Sequence, residues 1–169
     1  MQDEDLRELD EEFEEEDSQK DKYLTFKIAG EEYAIEIKFV TEIIGIQKIT
    51  EVPDMDEYVR GVINLRGKVI PVIDVRLRFH YDFLEYNDRT CIVVVEIEDR
   101  SVGLIVDEVS EVIDIPEANV DPPPRTSKGA RGRYIQGMGK VDDQVKIILN
   151  IAKLLTEEER ATLDEIAQD

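Results

Sequence analysis

Glu57-Tyr58-Val59-Arg60-Gly61-Val62-Ile63-Asn64-Leu65-Arg66-Gly67-Lys68-Val69-Ile70-Pro71-Val72-Ile73-Asp74-Val75-Arg76 is the stretch from which the rest of the chain is read. Two β-branched runs, Val62-Ile63-Asn64-Leu65 and Val69-Ile70-Pro71-Val72-Ile73, flank Arg66-Gly67-Lys68, whose glycine suits a tight turn, so a β-hairpin is expected. Pro71 cannot donate to a ladder, which predicts that its strand lies at a sheet edge or carries a bulge there. Upstream, Tyr23-Leu24-Thr25-Phe26-Lys27-Ile28 and Tyr33-Ala34-Ile35-Glu36-Ile37 flank Ala29-Gly30-Glu31-Glu32 and read as a second hairpin.

The chain also resembles itself. Displaced by 69 positions, Tyr33-Ala34-Ile35-Glu36-Ile37-Lys38-Phe39-Val40-Thr41-Glu42-Ile43-Ile44 falls on Val102-Gly103-Leu104-Ile105-Val106-Asp107-Glu108-Val109-Ser110-Glu111-Val112-Ile113. Displaced by 76, Tyr58-Val59-Arg60-Gly61 falls on Tyr134-Ile135-Gln136-Gly137 and residues 69–79 fall on 145–155, with Asp74 over Asn150. Two copies of an all-β unit of roughly 65 residues imply two small barrels related by a pseudo-two-fold, because closure removes exposed strand edges. Each copy alone is marginal by size, so a shared apolar interface is expected. The predicted organisation is an acidic disordered tail over residues 1–21, a first barrel over 22–87, a second over 88–155 with terminal strands open to exchange, and a C-terminal helix over 156–169. In that helix Thr156 and Glu159 form a capping box, and Leu163 with Ile166 makes a narrow apolar face.

Charge limits the partners. The formal net charge is -20, and residues 1–17 alone carry eleven acids against one base. Such a chain is repelled by nucleic acid phosphates and anionic lipid, and with no tryptophan it lacks the basic, aromatic groove of a single-strand-binding barrel. The tail is too polar and too like-charged to bury a core, although Leu6, Leu9 and Phe13 fall on one helical stripe. Asp121-Pro122-Pro123-Pro124-Arg125 reads as extended linker, and residues 126–133, with Lys128, Arg131 and Arg133, as a mobile basic loop. The single cysteine, Cys91, excludes an intrachain disulfide and reads as a buried thiol of a reducing compartment. No apolar stretch reaches membrane-spanning length and no signal-peptide pattern opens the chain, so a cytoplasmic location without membrane insertion is expected.

No constellation of residues points to chemistry. His80 is the only histidine, which excludes a two-histidine metal site and reads as an exposed structural residue. Gly137-Met138-Gly139-Lys140 fails as a phosphate loop and reads as turn chemistry, and no G-x-S-x-G is present. Carboxylates adjacent in sequence, such as Asp107 with Glu108 and Asp142 with Asp143, point to opposite strand faces or into loops. The expectation is a binding protein, with no enzyme activity, metal or cofactor.

Residues 57–76, with N-L-R-G followed by P-V-I-D, closely resemble the most characteristic segment of the CheW chemotaxis coupling family. Gly30-Glu31-Glu32-Tyr33-Ala34-Ile35, Val102-Gly103-Leu104-Ile105-Val106-Asp107 and Tyr134-Ile135-Gln136-Gly137 extend the resemblance over about residues 22–156. It implies two five-stranded SH3/OB-like barrels. It also implies a cytoplasmic adaptor that binds the cytoplasmic tip of chemoreceptors and the regulatory domain of the histidine kinase CheA, recruited to membrane-associated receptor arrays. The alternative is the same fold serving a signalling kinase complex outside chemotaxis. By motif position the implied interface comprises Ile37, Val40, Glu42, Gly61, Asn64, Leu65 and Arg66, with Glu42 and Arg66 as a salt bridge. From the residues alone, Gly61 and Gly67 read as backbone requirements and Arg66 as an exposed turn residue suited to an interface.

Overall fold

The computed structural model describes residues 19–124 and 132–168; the acidic segment up to residue 18 and most of the basic loop lie outside it. Its strands are β1 (Lys22–Ile28), β2 (Glu31–Glu36), β3 (Val40–Gly45), β4 (Val59–Leu65), β5 (Lys68–Asp74), β6 (Cys91–Ile97), β7 (Arg100–Val106), β8 (Glu108–Asp114), β9 (Val120–Asp121), β10 (Ile135–Val141) and β11 (Gln144–Leu149). Two helices, α1 (Val75–Arg78) and α2 (Glu157–Gln168), follow β5 and β11.

Both hairpins read from the sequence form. Arg66 and Gly67 have φ of 53° and 86° and Leu65 pairs with Lys68, so the turn has two residues, both left-handed, the type whose twist matches the flanking strands. Ala29 and Gly30 repeat this between β1 and β2, with φ of 52° and 83°.

The strands assemble into two sheets, in the orders β8-β1-β2-β11-β10-β9 and β3-β6-β7-β5-β4. The two-residue β9 makes the first sheet six-stranded where five strands were expected. The sequence repeat is correct in register, yet its halves are not the barrels. The parallel pairs Val72↔Gly103 in one sheet and Ile148↔Ala34 in the other occupy the same repeat positions, each joining the fifth strand of one copy to the second strand of the other. The copies have therefore exchanged their leading hairpins: β1–β2 sits with the second repeat and β6–β7 with the first. Each sheet therefore takes strands from both segments, 22–87 and 88–155.

Each sheet curls until the chain beyond one edge strand reaches the far side. Past β3, Thr50 exchanges both backbone hydrogen bonds with Val62 of β4, at 2.8 and 2.9 Å. Past β8, Val120 and Asp121 pair with Gly139 and Met138 of β10. A Cβ at Gly61, where φ is 140°, would stand 2.1 Å from the Thr50 carbonyl oxygen; at Gly137, its repeat counterpart, it would meet Val120 at 2.9 Å. These glycines permit closure.

Pro71 lies inside its sheet, with β4 on one side and β7 on the other, and not at the edge that was one of the two alternatives; the hairpin's bulge falls on the facing strand at Arg60, between the partners of Ile73 and Val72. Val62 directs both its backbone groups to Thr50, so the Val62–Pro71 pair is not hydrogen-bonded. The missing donor faces β7, whose ladder begins one residue later at Val72.

Three apolar clusters result. Each barrel has its own interior, Ile63, Ile70, Val72, Ile92, Val94 and Ile105 in one, and Tyr23, Ala34, Ile115 and Ile148 in the other. The largest lies between them and takes Leu24, Phe26, Ile28, Tyr33 and Ile35 from one sheet with Val93, Val95, Ile97, Val102 and Leu104 from the other. Cys91 is half-buried at the rim of this layer, less enclosed than expected, and His80 is exposed as read. The capping box of α2 forms reciprocally, Thr156 N–H to Glu159 Oε1 at 3.0 Å and Glu159 N–H to Thr156 Oγ1 at 3.1 Å.

Gly61→Ala should destabilise the fold by more than about 3 kcal/mol in denaturant unfolding, since strain and collision with backbone act together. Gly30→Ala, where a Cβ meets nothing within 4 Å, should cost only the left-handed penalty of about 1–2 kcal/mol.

Candidate protein-interaction site

A bulge in β3 sets the geometry. Val40 pairs with Val95 and Glu42 with Val94, so Thr41 is an extra residue, and its hydroxyl donates to the Val94 carbonyl at 3.0 Å. Residues directly opposed share a face, so Val40 and Ile43 stand with Val95 and Val93 on the side of the shared layer, while Glu42 stands with Val94 on the barrel side. One inserted residue thus sends neighbouring side chains to different surfaces.

From the barrel side, Glu42 reaches the β4–β5 turn. Arg66 Nη1 donates to Glu42 Oε1 at 3.2 Å and Nη2 to Oε2, a two-pronged pair. It spans the side of the barrel where β3 and β4 share no ladder. Asn64 Oδ1 accepts from the Gly67 N–H at 2.8 Å and fixes the turn, and Leu65 packs onto the barrel interior. The arginine holds the Glu42 carboxyl below the usual glutamate range, chiefly through the hydrogen bond, against a smaller opposing effect of desolvation. At the opposite end of β5 from the turn, Asp74 caps α1 through the Leu77 N–H at 3.2 Å and accepts the Tyr86 hydroxyl at 2.8 Å. Its burial pushes that carboxyl up, against the pull of the Tyr86 bond.

The fold therefore gathers Glu42, Asn64, Leu65 and Arg66 at one barrel mouth. Ile37 and Val40 lie instead at the edge of the shared layer, both half-buried. Gly61 is buried against Thr50, in keeping with the backbone requirement read from the residues. Sequence reading passed over Ile43, 43% exposed on the same face as Val40, and Val112, 52% exposed. They are repeat counterparts, 69 positions apart, and that register was the available signal. Val112 and Val109 pair with Leu24 and Phe26, so β8 bears the same bulge and face as β3. The apolar layer thus runs out to solvent along both edge strands.

The ion pair is not duplicated. Glu111 is the counterpart of Glu42, but Asp142 occupies the turn position of Arg66, with the same φ of 53°. Glu111 and Asp142 line one recess together with Asp143. Among the described residues, no group of three or more His, Cys, Asp or Glu side chains is placed to hold a metal, and no helix is long and apolar enough to cross a membrane.

A paired, strand-exchanged SH3-like barrel with a rigid polar clasp and exposed apolar edges defines a protein-binding scaffold. The CheW-like domain family model matches residues 22–159, and the chain belongs to that family. It is 34% identical over 146 residues to the chemotaxis protein CheW of Klebsiella aerogenes, covering 86% of this chain and 88% of that protein. It is 36% identical over 138 residues to the chemotaxis protein CheW of Bacillus subtilis, covering 82% and 88%. The crystal structure of the scaffolding protein TtCheW from Thermoanaerobacter tengcongensis superposes with a TM-score of 0.73 at 38% identity, covering 77% of this chain and 88% of that one.

A group whose folded pKa is lowered adds stability above its unfolded value and loses it as pH falls through the folded value. Carboxyl NMR should place the Glu42 titration below that of other exposed glutamates, and Arg66→Ala should return it to the ordinary range. An unchanged midpoint in Arg66→Ala would mean that the pair does not persist in solution.

Proposed function

We propose that this chain is a chemotaxis coupling adaptor that links the cytoplasmic tip of chemoreceptors to the regulatory domain of the histidine kinase CheA and places the kinase under receptor control. Family membership supports this, as do relatives named chemotaxis protein CheW and a similar structure described as a scaffolding protein. The observation that carries the reading is the Glu42–Arg66 clasp on the barrel face of β3, present in one barrel only, with the apolar edge of Ile37, Val40 and Ile43 on the shared-layer side of the same strand. A receptor helix can set apolar side chains on that edge while the clasp offers a separate polar contact on the strand's other face, and Asn64 with Leu65 keeps the Arg66 turn in place. On this reading the protein works in the cytoplasm, is drawn to membrane-associated arrays by its receptors, and catalyses nothing itself.

Kinase autophosphorylation should be reconstituted with receptor cytoplasmic fragments, with and without this protein. Wild type should make the kinase responsive to receptor, and Arg66→Glu, which sets two carboxylates against each other, should weaken coupling by about 1–3 kcal/mol, or roughly fivefold to 150-fold, at little cost to the fold. Equal coupling by both proteins would overturn the assignment of the site. If wild type binds the kinase without conferring receptor control, the fold serves another signalling complex.

A further inference from the structure

Beyond the Arg66 turn, on the side away from Glu42, lies a groove of about 390 Å³ between β5, the β6–β7 turn and α2. Its floor is apolar: Val69, Pro71, Ile97, Val102, Leu155 and Leu163. Val69 is 37% exposed there, although it lies on a central strand. The helix is strapped over the groove at two points, Arg100 to Asp164 at 2.9 Å and Arg160 to Glu98 at 3.1 Å. Those pairs neutralise both arginines of the rim. The charge that remains on the rim and the exposed face of α2 is Lys68 against Asp99, Glu157, Glu158 and Glu165, a negative surplus. On the other flank of Leu163 a second recess is lined by Asp54, Asp56, Glu158 and Glu159. There Tyr58 Oη and Glu159 Oε2 are buried without a hydrogen-bond partner among the described residues. Glu159 is paired with Arg78 through its other oxygen, at 3.2 Å, so the surplus there rests on Asp54, Asp56 and Glu158. An apolar floor with a surplus of carboxylates on both sides suits a segment of opposite character.

We propose that this groove is a second docking site, separate from the Glu42–Arg66 face, and that it takes an amphipathic helical segment of another protein whose apolar anchors are flanked by lysine or arginine. The pseudo-two-fold provides an internal control. Val145, the counterpart of Val69, is 52% exposed on the other barrel, where no helix among the described residues stands over it.

The probe is a fluorescent peptide of about 15 residues with leucine along one helical stripe and lysine elsewhere, followed by anisotropy against the full chain. Wild type should bind it. Val69→Lys should weaken binding at least about tenfold, while Val145→Lys, which adds the same charge elsewhere, should leave it within about twofold. A companion peptide with glutamate in place of lysine should bind at least about tenfold more weakly. The proposal is overturned if wild type does not bind the lysine peptide, or if the two lysine variants lose affinity equally, which marks diffuse charge attraction. It is also overturned if the glutamate peptide binds as well, which points to an acidic occupant such as this chain's own N-terminal segment.

Discussion

The β1–β2 and β6–β7 hairpins are buried on both faces because each lies in a barrel that its own repeat does not complete. That constraint governs the rest of the molecule. One face of each hairpin fills a barrel, as Ile92 and Val94 do, and the other joins the layer between barrels, as Val93, Val95 and Ile97 do. A unit of about 65 residues is marginal as an independent domain, and exchange converts two marginal units into one cooperative body. Neither barrel can open without exposing the layer that supports the other.

The layer also contains a charge. The Arg78 guanidinium lies 4.4 Å from the ring centre of Tyr58 and 5.3 Å from that of Tyr134, which are counterparts 76 positions apart. Its Nε donates to the Leu154 carbonyl at 2.7 Å and its Nη2 to Glu159 at 3.2 Å. Burial pulls the group below the usual arginine value, so the cation is costly, and its partners come from both repeats and from α2. A buried, fully engaged arginine fixes one relative placement of these elements, where an all-apolar layer would tolerate several.

Much of this could be read in advance and some could not, for physical reasons. The 69- and 76-residue registers announced the pseudo-two-fold. The partners of β5 and β2 stayed hidden, because their parallel ladders join residues far apart in sequence and periodicity carries no information on which distant strand pairs with which. Pro71 was read as marking an edge or a bulge since the pattern shows a missing donor but not where a neighbouring ladder begins. The Glu42–Arg66 clasp came from resemblance alone: the bulge at Thr41 that aims Glu42 leaves no mark in a threonine amid β-branched residues.

Duplication gives an adaptor two similar surfaces, and substitution makes them different. Both edge strands carry the same bulge, and both extend the apolar layer to solvent at Ile43 and Val112. At the turn facing each bulge, however, one copy has Arg66 bound to Glu42 and the other has Asp142 beside Glu111. The first surface carries a carboxylate neutralised by its own arginine; the second carries Glu111, Asp142 and Asp143 with Lys146 in the same recess, and that lysine is engaged by Glu32. Partners that differ in charge can therefore be sorted between two faces of one backbone design, with like-charge contact excluding the wrong one. If two partners were held at once, their separation would be fixed by the exchanged hairpins, because a displacement in one barrel is carried directly into strands of the other.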